Sequence, residues 1–462
     1  MVLRDETLDQ SRSHRAREGG GPPEPGIIML FSGERPLFEL VTSRGPITIG
    51  RDTACTISII DARASRRHAE LAFEGDRWIV SDLGSRNGTF LDGERVGERA
   101  AVTDEAVLSV GNTIFLVSTN VSSLRGTIAV ENGVIIGPRL RAPWQAIDLI
   151  AQKSKVLHVV GETGTGKEQA ARRFHAGSRR AAGPFVAVNC AAVPPLLAER
   201  LFFGARRGAY SGAESDSEGY LAAADGGTLF LDEVGDLSPD VQPKLLRAIE
   251  TGELLPLGAA HARKLNVAVV SATHVDLRGR INAGTFRSDL YFRLGQPALT
   301  LPPLRARREE IPSIIDVTLQ RLSGGMQAHA SLVEAALLRP WPGNTRELIN
   351  AVTAAAHLAR GRDNRVMAQH LGDNVGTALG SLLTPSNATP PRGAAPAMTQ
   401  EDAESLRIRE VLEREHGNVT RAAQQLGLHR TQLRRLIARY GIDRKQYRRR
   451  LDGAIDNLDS SG

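Results

Sequence analysis

A glycine-rich stretch that ends in a lysine carries the clearest chemistry of this 462-residue chain: Gly161, Glu162, Thr163, Gly164, Thr165, Gly166 and Lys167. Glycines at this spacing let a backbone fold tightly around phosphates with its N–H groups pointing inward, and the lysine reaches the terminal phosphate oxygens. The apolar run 156–160 predicts a buried strand, and residues 168–175 predict a helix whose N-terminus favours anions. A glycine-rich turn alone is usually only a turn, but this order of elements predicts a nucleotide site.

A second chemical signature is the apolar run 228–231, which ends in the carboxylates of Asp232 and Glu233. A buried strand of this kind delivers both acids to the ligand edge of a parallel sheet. Asp232 suits the Mg²⁺ that accompanies ATP, and Glu233 suits polarisation of an attacking water. Glu168 stands where Ser or Thr usually ligates the metal, so the metal would depend on Asp232. The two signatures predict ATP hydrolysis, with Lys167, Asp232 and Glu233 as catalytic residues and ATP and Mg²⁺ as cofactors.

From about Ile135 to about Leu371 the chain resembles the AAA+ domain of bacterial sigma-54-dependent transcription activators, also called enhancer-binding proteins. The resemblance rests on the glycine-rich stretch with Glu168 and on further motifs at 185–190, 224–233, 286–294, 301–305 and 341–348. It implies an α/β P-loop ATPase subdomain followed by a helical lid. It also implies that the whole stretch 161–168 binds ATP and that Arg346, on the lid, is a second sensor of the nucleotide.

The resemblance assigns sensor roles outside the phosphate loop. Asn189 matches the position that senses the nucleotide state by contacting Glu233. Thr273 and His274 match the sensor on the strand beside the acids, where His274 replaces the commoner Asn.

Two arginines, Arg287 and Arg293, match the arginine fingers of the family. A planar, permanently charged guanidinium suits a transferring phosphoryl group. Because such a finger reaches the γ-phosphate held by a neighbouring subunit, the resemblance implies a ring-shaped homo-oligomer, expected to be a hexamer. The alternative for each arginine is an ordinary surface ion pair.

The segment between the two signatures matches the loop that the family usually writes GAFTGA: Gly208, Ala209, Tyr210, Ser211, Gly212 and Ala213. In the family this loop engages the sigma-54 subunit of RNA polymerase during the ATP cycle, which implies the same partner here. Tyr210 and Ser211 replace Phe and Thr, so the ring and the hydroxyl are kept. Other departures surround the loop, at Leu201, Ala205, Arg206 and Ala222. They leave the hydrolytic residues unchanged and concern the relay from nucleotide to loop.

Residues 27–119 contain short apolar runs separated by turn residues, which predicts an all-β sandwich. The segment resembles forkhead-associated (FHA) domains, which bind phosphothreonine, at Gly50-Arg51, 65–68, Asp82 and 85–89. The resemblance implies that Arg51 and Ser65 grip the phosphate, that Arg66 and Arg86 assist and that Asn87 holds the peptide backbone. Convergent donors on the loops of a rigid sandwich suit a phosphate dianion. The partner would be a phosphothreonine protein or a Ser/Thr kinase; the alternative is a sandwich kept only for assembly.

The last part of the chain predicts a helix, a glycine-containing turn and a helix, and it resembles the Fis-type helix-turn-helix that closes many sigma-54 activators. The second helix would present six side chains to the major groove or to phosphates: His429, Arg430, Thr431, Gln432, Arg434 and Arg435. Residues 429–450 hold nine Lys and Arg and one acid, Asp443. This excess of positive charge favours double-stranded enhancer DNA as a partner.

The expected fold is therefore multidomain: an N-terminal all-β FHA sandwich, a central AAA+ α/β P-loop domain with a helical lid, and a C-terminal all-α helix-turn-helix. Composition and the resemblances place the boundaries at 1–26 (disordered tail), 27–119 (FHA domain), 125–298 (ATPase subdomain), 299–372 (lid), 373–397 (flexible linker), 398–450 (helix-turn-helix) and 451–462 (tail).

Composition limits the class of protein. The two cysteines, Cys55 and Cys190, have no metal-binding spacing and indicate a reducing compartment without disulfides. The sequence contains no run of eighteen apolar residues, so we expect no membrane span. A net charge of +6 permits nucleic-acid binding. The expected location is the bacterial cytoplasm, with no membrane partner.

The hypothesis from the sequence is a transcription activator that binds enhancer DNA and uses ATP hydrolysis in a ring to remodel sigma-54 RNA polymerase. Phosphothreonine recognition by the FHA domain, rather than a receiver domain, would regulate it. Two alternatives stay open. One is an ATPase that acts on a partner other than sigma-54, and the other is a phosphopeptide-responsive DNA-binding regulator with little ATPase activity.

Overall fold

The computed structural model describes residues 23–209, 214–322, 325–360 and 364–378, and in the C-terminal part residues 411–412, 419, 433 and 437. The chain divides into two units, Met1–Thr384 and Pro385–Gly462. In the second unit the described residues are helical, and Leu412, Val419, Leu433 and Ile437 are buried. Residues 210–213 of the loop and the six residues predicted to contact DNA lie outside the described residues.

The first domain is the predicted β-sandwich. Its strands, in chain order, are β1 (Gly26–Ser32), β2 (Arg35–Thr42), β3 (Ile47–Gly50), β4 (Ile57–Ser58), β5 (Ala69–Glu74), β6 (Arg77–Asp82), β7 (Thr89–Leu91), β8 (Glu94–Arg95), β9 (Arg99–Val102), β10 (Ala106–Val110) and β11 (Thr113–Ser118). They form two sheets, with strand orders β2-β1-β11-β10-β7-β8 and β4-β3-β5-β6-β9. The core between the sheets contains Trp78 and Phe115.

The second domain is a parallel α/β layer. Its elements are β12 (Ala129–Glu131), β13 (Val134–Ile136), α1 (Pro138–Lys153), β14 (Val156–Val160), α2 (Lys167–Gly177), β15 (Phe185–Asn189), α3 (Pro195–Phe203), α4 (Tyr220–Ala223), β16 (Thr228–Asp232), α5 (Val241–Thr251), β17 (Glu253–Leu254), β18 (Arg263–Lys264), β19 (Ala268–Thr273), α6 (Leu277–Asn282), α7 (Ser288–Leu294) and β20 (Ala298–Thr300). The central sheet has the order β15-β16-β19-β14-β20. The strands predicted at 156–160 and 228–231 are confirmed, and helices cover both faces of the sheet as a parallel layer requires.

The lid follows as a small helical layer. It consists of α8 (Ile311–Arg321), β21 (Gln327–Ala328), α9 (Ala330–Leu337), α10 (Asn344–Ala359) and β22 (Arg365–Val366). The helices pack on one another through apolar side chains such as Ile315, Val333 and Leu348. The connection from β20 to α8 contains the short helical turns Leu304–Ala306 and Arg308–Glu310.

The sandwich is packed against the lid through one of its sheets. Successive residues of β1 alternate between two cores: Ile27 and Met29 face the sandwich interior, while Ile28 and Leu30 belong to the same core as the lid helices. Six side chains of the sandwich enter the lid core and are at most 1% exposed: Ile28, Leu30, Phe31, Val107, Ile114 and Leu116. At about 1.5–3 kcal/mol for each buried apolar side chain, they contribute on the order of 10 kcal/mol before entropic costs.

In the described part of the chain, no helix combines the length and the apolar character that a bilayer crossing needs.

Candidate functional site: the P-loop cleft and the FHA loops

The glycine-rich stretch forms a turn between β14 and α2. Gly164 and Gly166 have φ angles of +80° and +104°, which only glycine adopts without strain. Gly166 caps the N-terminus of α2, so the first amides of that helix point at the space above the turn. Thr165 is buried and closes the turn by donating its hydroxyl to the Glu162 carbonyl oxygen at 2.8 Å. The local geometry is that of an anion-binding loop.

Lys167 and the two carboxylates meet above this loop. The Lys167 ammonium donates to the Gly161 carbonyl oxygen at 3.0 Å and lies 3.5 Å from the Glu233 carboxylate. Burial raises the pKa of Asp232, and the charge of Glu233 raises it further, while Lys167 and Arg346 oppose this shift. A desolvated carboxylate beside a second acid is a good place for a cation. Mg²⁺ usually takes one or two carboxylates and the phosphates of its nucleotide, so these residues fit Mg-ATP.

Glu233 lies in a strained backbone conformation, with φ of +51°. Its carboxylate accepts a hydrogen bond from Nδ1 of His274 at 2.6 Å, and His274 lies directly after β19. Asn189 instead uses its side-chain oxygen to accept from the Ala191 N–H at 3.0 Å. The predicted contact between Asn189 and Glu233 is therefore not formed, since the histidine on the neighbouring strand holds the carboxylate.

Thr273 supports the cleft from below. It is buried, its carbonyl oxygen accepts from the Gly161 N–H at 3.2 Å, and its hydroxyl accepts from the Val275 N–H at 3.1 Å. The strand that carries the predicted sensor residue Thr273 thus fixes the start of the phosphate loop.

The lid is fastened to the phosphate loop by Asn344, a buried residue to which the sequence analysis gave no role. Its amide donates to the Thr163 carbonyl oxygen at 3.0 Å and to the Glu162 carboxylate at 3.1 Å. Arg305 forms a bidentate pair with Glu162, and these bonds hold the pKa of that carboxyl below its usual value. The Glu162 side chain therefore faces the lid, and its contribution to the phosphate loop comes from the backbone.

The resulting cleft has a volume of about 310 Å³. It brings together Lys167, Glu168, Asp232, Glu233 and Arg346, which the sequence predicts in one site from three separate motifs. Arg346 is exposed at the start of α10, facing the acids across the cleft.

An apolar cavity of about 240 Å³ adjoins the phosphate cleft and shares Gly166 and Gln169 with it. Its walls include Ile135, Trp144 and Ile314. A flat apolar base would fit such a cavity, and these residues are missing from the predicted site. They come from two distant segments and have the apolar character of any core, so no spacing rule could have selected them.

The two predicted fingers lie away from this cleft. Arg287 precedes α7 and forms a bidentate surface pair with Asp289, and Arg293 is exposed near the end of the same helix. Neither lines the cleft of its own chain. Arg287 thus forms a surface ion pair, which was the alternative to the finger role. The contact of either arginine with a neighbouring chain stays a prediction.

The described ends of the predicted sigma-54 loop form a closed neck. Ala205 pairs with Ser217 through two backbone hydrogen bonds of 3.0 and 2.8 Å, and Arg206 forms an ion pair with Asp216. Gly208 and Ala209 continue from this neck, and the loop lies in sequence between β15 and β16. The departure at Arg206 is therefore accommodated by a partner of opposite charge.

The FHA loops bring the predicted phosphothreonine residues to one end of the sandwich. Arg51 donates its Nε–H to the Ala64 carbonyl oxygen at 2.6 Å, and the Ser65 hydroxyl accepts from the Arg86 N–H at 3.1 Å. Asn87 donates to the Arg63 carbonyl oxygen at 2.6 Å. Arg51, Arg86 and Asn87 are exposed, as is Arg66. These side chains could meet a phosphate dianion without rearranging the sandwich.

Buried His68 braces those loops from within. Its Nδ1 accepts from the Ser65 N–H at 3.0 Å, so its Nε2 carries the proton and donates to the Gly88 carbonyl oxygen at 3.1 Å. Gly50 is needed beside it because a Cβ there would lie 2.1 Å from the Arg66 carbonyl oxygen.

Comparison with protein families gives four matches along the chain. An FHA domain matches residues 47–114, a sigma-54 interaction domain matches 135–300, an AAA+ ATPase lid domain matches 305–381, and the Fis family of bacterial regulatory proteins matches 399–440.

Among similar proteins, the hydrogenase transcriptional regulatory protein HoxA of Cupriavidus necator is 37% identical over 66% of this chain and 66% of its own length. The transcriptional regulatory protein ZraR of Klebsiella oxytoca is 37% identical over 73% of this chain and 75% of its own length. The chain thus spans just under two thirds of HoxA. The crystal structure of NtrX from Brucella abortus matches with a TM-score of 0.50 and 32% identity, over 66% of this chain and 68% of that one. The chain belongs to the family of sigma-54-dependent transcription activators, and it combines the AAA+ domain of that family with an FHA domain and a Fis-type helix-turn-helix.

Proposed function

We propose that this protein is an ATP hydrolase that assembles as a homo-oligomeric ring, binds enhancer DNA through its C-terminal domain and remodels sigma-54 RNA polymerase. One observation carries the proposal: a single cleft between the phosphate loop, the end of β16 and the lid contains Lys167, Asp232, Glu233 and Arg346. A lysine, two acids and a second cation around an anion-binding turn are the parts that phosphoryl transfer needs.

Each residue has a definite task in this proposal. The amides of the loop and the Lys167 ammonium, which turns from the Gly161 carbonyl oxygen, bind the phosphates of ATP. Asp232 holds Mg²⁺, which neutralises charge on the phosphates when bound. Glu233, held by His274, orients and polarises the attacking water. Arg346 reports the nucleotide to the lid, and the arginine fingers of the next subunit complete the site.

The coupling to polymerase follows from the position of the loop. The segment 208–213 lies in sequence between β15, which ends at Asn189, and β16, which ends at Asp232. In this proposal a change at the acidic end of β16 passes along the strand and α4 to the closed neck, and the loop then engages sigma-54. Phosphothreonine recognition by Arg51, Ser65, Arg66, Arg86 and Asn87 regulates this activity.

The test is transcription from a sigma-54 promoter in a purified system, together with ATPase turnover. Lys167→Ala should abolish both, whereas Ser211→Ala should leave ATPase turnover intact and abolish transcription. If Lys167→Ala still activates transcription, activation does not depend on ATP hydrolysis and the proposal is wrong. If Ser211→Ala activates transcription as well as the native chain, the assignment of the sigma-54 loop is wrong.

A further inference from the structure

The FHA sandwich and the nucleotide cleft share the lid as a common wall. The sandwich is held on the lid by six fully buried apolar side chains, and by a hydrogen bond of 2.6 Å from the Ser109 hydroxyl on β10 to the Glu334 carboxylate on α9. Ser109 is itself only 5% exposed. A domain held by an interior-like contact of this kind is part of the ATPase body, and not a module on a free tether.

A set of hydrogen bonds connects the phosphate-recognition loops to the turn beside this contact. Asn87 bonds the Arg63 carbonyl oxygen, and Asp61 accepts from the backbone N–H groups of both Arg63 and Asn112. Asn112 lies in the turn between β10 and β11, the strands that pack on the lid. Burial lowers the pKa of His329, the cap residue of α9, and the nearby Arg63 charge lowers it further. The loop that carries Asp61 and Arg63 therefore contacts the turn between the two strands that pack on α9.

The far end of α9 is fastened by Arg308. Its guanidinium donates to the Leu337 carbonyl oxygen through Nε and Nη2, at 3.0 and 2.7 Å, and through Nη1 to the Glu105 carbonyl oxygen of the sandwich at 2.8 Å. One half-buried side chain thus ties the sandwich to the lid helix.

The preceding residue, Arg307, points to the nucleotide side. It is 3% exposed, donates to the Thr165 carbonyl oxygen of the phosphate loop at 3.0 Å and pairs with Glu310. Glu310 in turn accepts from the Gly137 N–H at 2.8 Å, close to the apolar cavity beside the cleft. Two consecutive arginines therefore hold the FHA domain and the phosphate loop to the same short turn, and both are positioning residues.

The geometry points to a direct coupling between the two binding sites: a phosphothreonine peptide on the FHA loops and a nucleotide in the cleft favour the same docked arrangement, which Ser109–Glu334 and Arg308 maintain. This inference rests on the proposed phosphothreonine and nucleotide sites. Because coupling between two sites is reciprocal, each ligand must tighten the other by the same factor. Regulation then acts on the nucleotide affinity of each subunit, without release of the FHA domain.

The experiment measures both halves of this linkage on the full chain. The Kd of a fluorescent ADP is determined with and without a saturating pool of degenerate phosphothreonine peptides, and the Kd of the pool is determined with and without ADP. Both values should fall by about five-fold or more, and by equal factors. In Ser109→Ala and Glu334→Gln each ligand should still bind, while the mutual effect should shrink to less than about two-fold. Arg308→Lys, which keeps the charge and loses the planar fork, should behave likewise.

Arg99→Ala is the matched control, since Arg99 forms an exposed surface pair with Glu74 in the sandwich, and it should keep the full coupling. The coupling is wrong if both ligands bind the native chain and neither changes the affinity of the other, or if each weakens the other. Either result would leave the two proposed binding sites supported. If coupling persists in all three contact variants, the assigned route is wrong. If the phosphorylated pool binds no better than its unphosphorylated form, phosphothreonine recognition itself fails and the coupling with it.

Discussion

At the scale of single residues, the hydrogen-bond partner of Glu233 is the main departure from expectation. The resemblance implies that Asn189 contacts Glu233, but His274 makes that contact at 2.6 Å, while Asn189 bonds the Ala191 N–H. Assigning Asn189 or His274 as the residue that positions Glu233 leads to different predictions for hydrolysis. In the proposed reaction, a Glu233 carboxylate without its hydrogen-bond partner no longer orients the attacking water.

We expect His274→Ala to lower kcat for ATP hydrolysis by about ten-fold or more, since small misplacements of a catalytic group are costly. KM for ATP should stay nearly unchanged, because His274 contacts the carboxylate and not the phosphate loop. Steady-state kinetics would check this. The matched variant Asn189→Ala should leave kcat close to the native value, and a larger loss there than in His274→Ala would restore Asn189 as the holder of Glu233.

Glu309 is a second unusual residue. It is fully buried, and among the described residues its carboxylate oxygens find no hydrogen-bond partner; Arg139 lies 3.7 Å away. Burial raises its pKa to about 7, Arg139 opposes the shift, and the nearby Glu310 and Glu105 add to it.

This carboxyl should make stability depend on pH. Between about pH 4.5 and 7 the folded chain keeps a proton that the unfolded chain has lost, so stability falls as the pH rises through this window, by at most about 3 kcal/mol. Glu309→Gln removes the charge and should melt at a higher temperature than the native chain at pH 8, with little difference at pH 5. Thermal melting at both values checks this. Equal melting of the two proteins at pH 8 would show that the charged form is not penalised.

At the scale of elements, the phosphate loop and the lid approach each other at Gly164. A Cβ at this glycine would lie 2.1 Å from the Gly343 carbonyl oxygen, just before α10, and the φ angle of +80° adds strain for any other residue. The start of α10 also supplies Asn344, whose side-chain amide donates to the Thr163 carbonyl oxygen, so loop and lid meet through backbone and through a side chain.

Gly164→Ala should therefore push the lid away and weaken ADP binding by about ten-fold or more, a loss of at least about 1.4 kcal/mol. Gly75→Ala is the matched control: its φ is +52° but its Cβ would meet no atom within 4 Å, and it lies in the β5–β6 turn. The control should show only the strain of about 1–2 kcal/mol in stability, with native ADP affinity. Isothermal titration and thermal melting separate the two effects, and native affinity in Gly164→Ala would refute the close approach.

The elements also show what the sequence could and could not predict. Chemistry tied to backbone geometry could be predicted: the strands at 156–160 and 228–231 exist because short apolar runs next to glycine-rich turns form buried strands. The packing of β1 and β11 on the lid could not be predicted from the sequence. A strand that is buried on both faces has a continuous apolar sequence. That sequence is the same whether a second sheet or a distant helix packs on its other face. For the same reason the sequence missed Asn344, whose role depends on a fold that brings residue 344 to residue 163.

At the scale of the whole molecule, the exposed fingers predict that no subunit hydrolyses ATP alone. Neither Arg287 nor Arg293 lines the cleft of its own chain, so the prediction that they act as fingers requires a neighbouring subunit.

Mixing two inactive variants tests this. Glu233→Gln lacks the water-polarising carboxylate and keeps its fingers, whereas Arg293→Ala keeps its cleft and lacks a finger. In a mixed ring, the finger of the first serves the cleft of the second, so ATPase activity should reappear on mixing and be maximal near equal amounts. Mixing Glu233→Gln with Lys167→Ala is the control and should stay inactive, since both lack a working cleft. No recovery in the first mixture would place Arg293 in its own subunit's site or outside catalysis.

The neck below the sigma-54 loop has one more contact. Ala205 bridges not only Ser217 but also Leu257, and a Cβ on Gly258 would lie 2.7 Å from that of Ala209. The segment around Leu257 follows β17 and α5, which in turn follow Glu233 in the chain. The neck is therefore joined to β16 twice: through α4 to the first residue of the strand, and through Leu257, β17 and α5 to its acidic end. Ala222 lies on α4 in the first connection, whereas the backbones of Ala205 and Arg206 contact Leu257 in the second. The departures from the family pattern therefore touch both connections between the neck and β16.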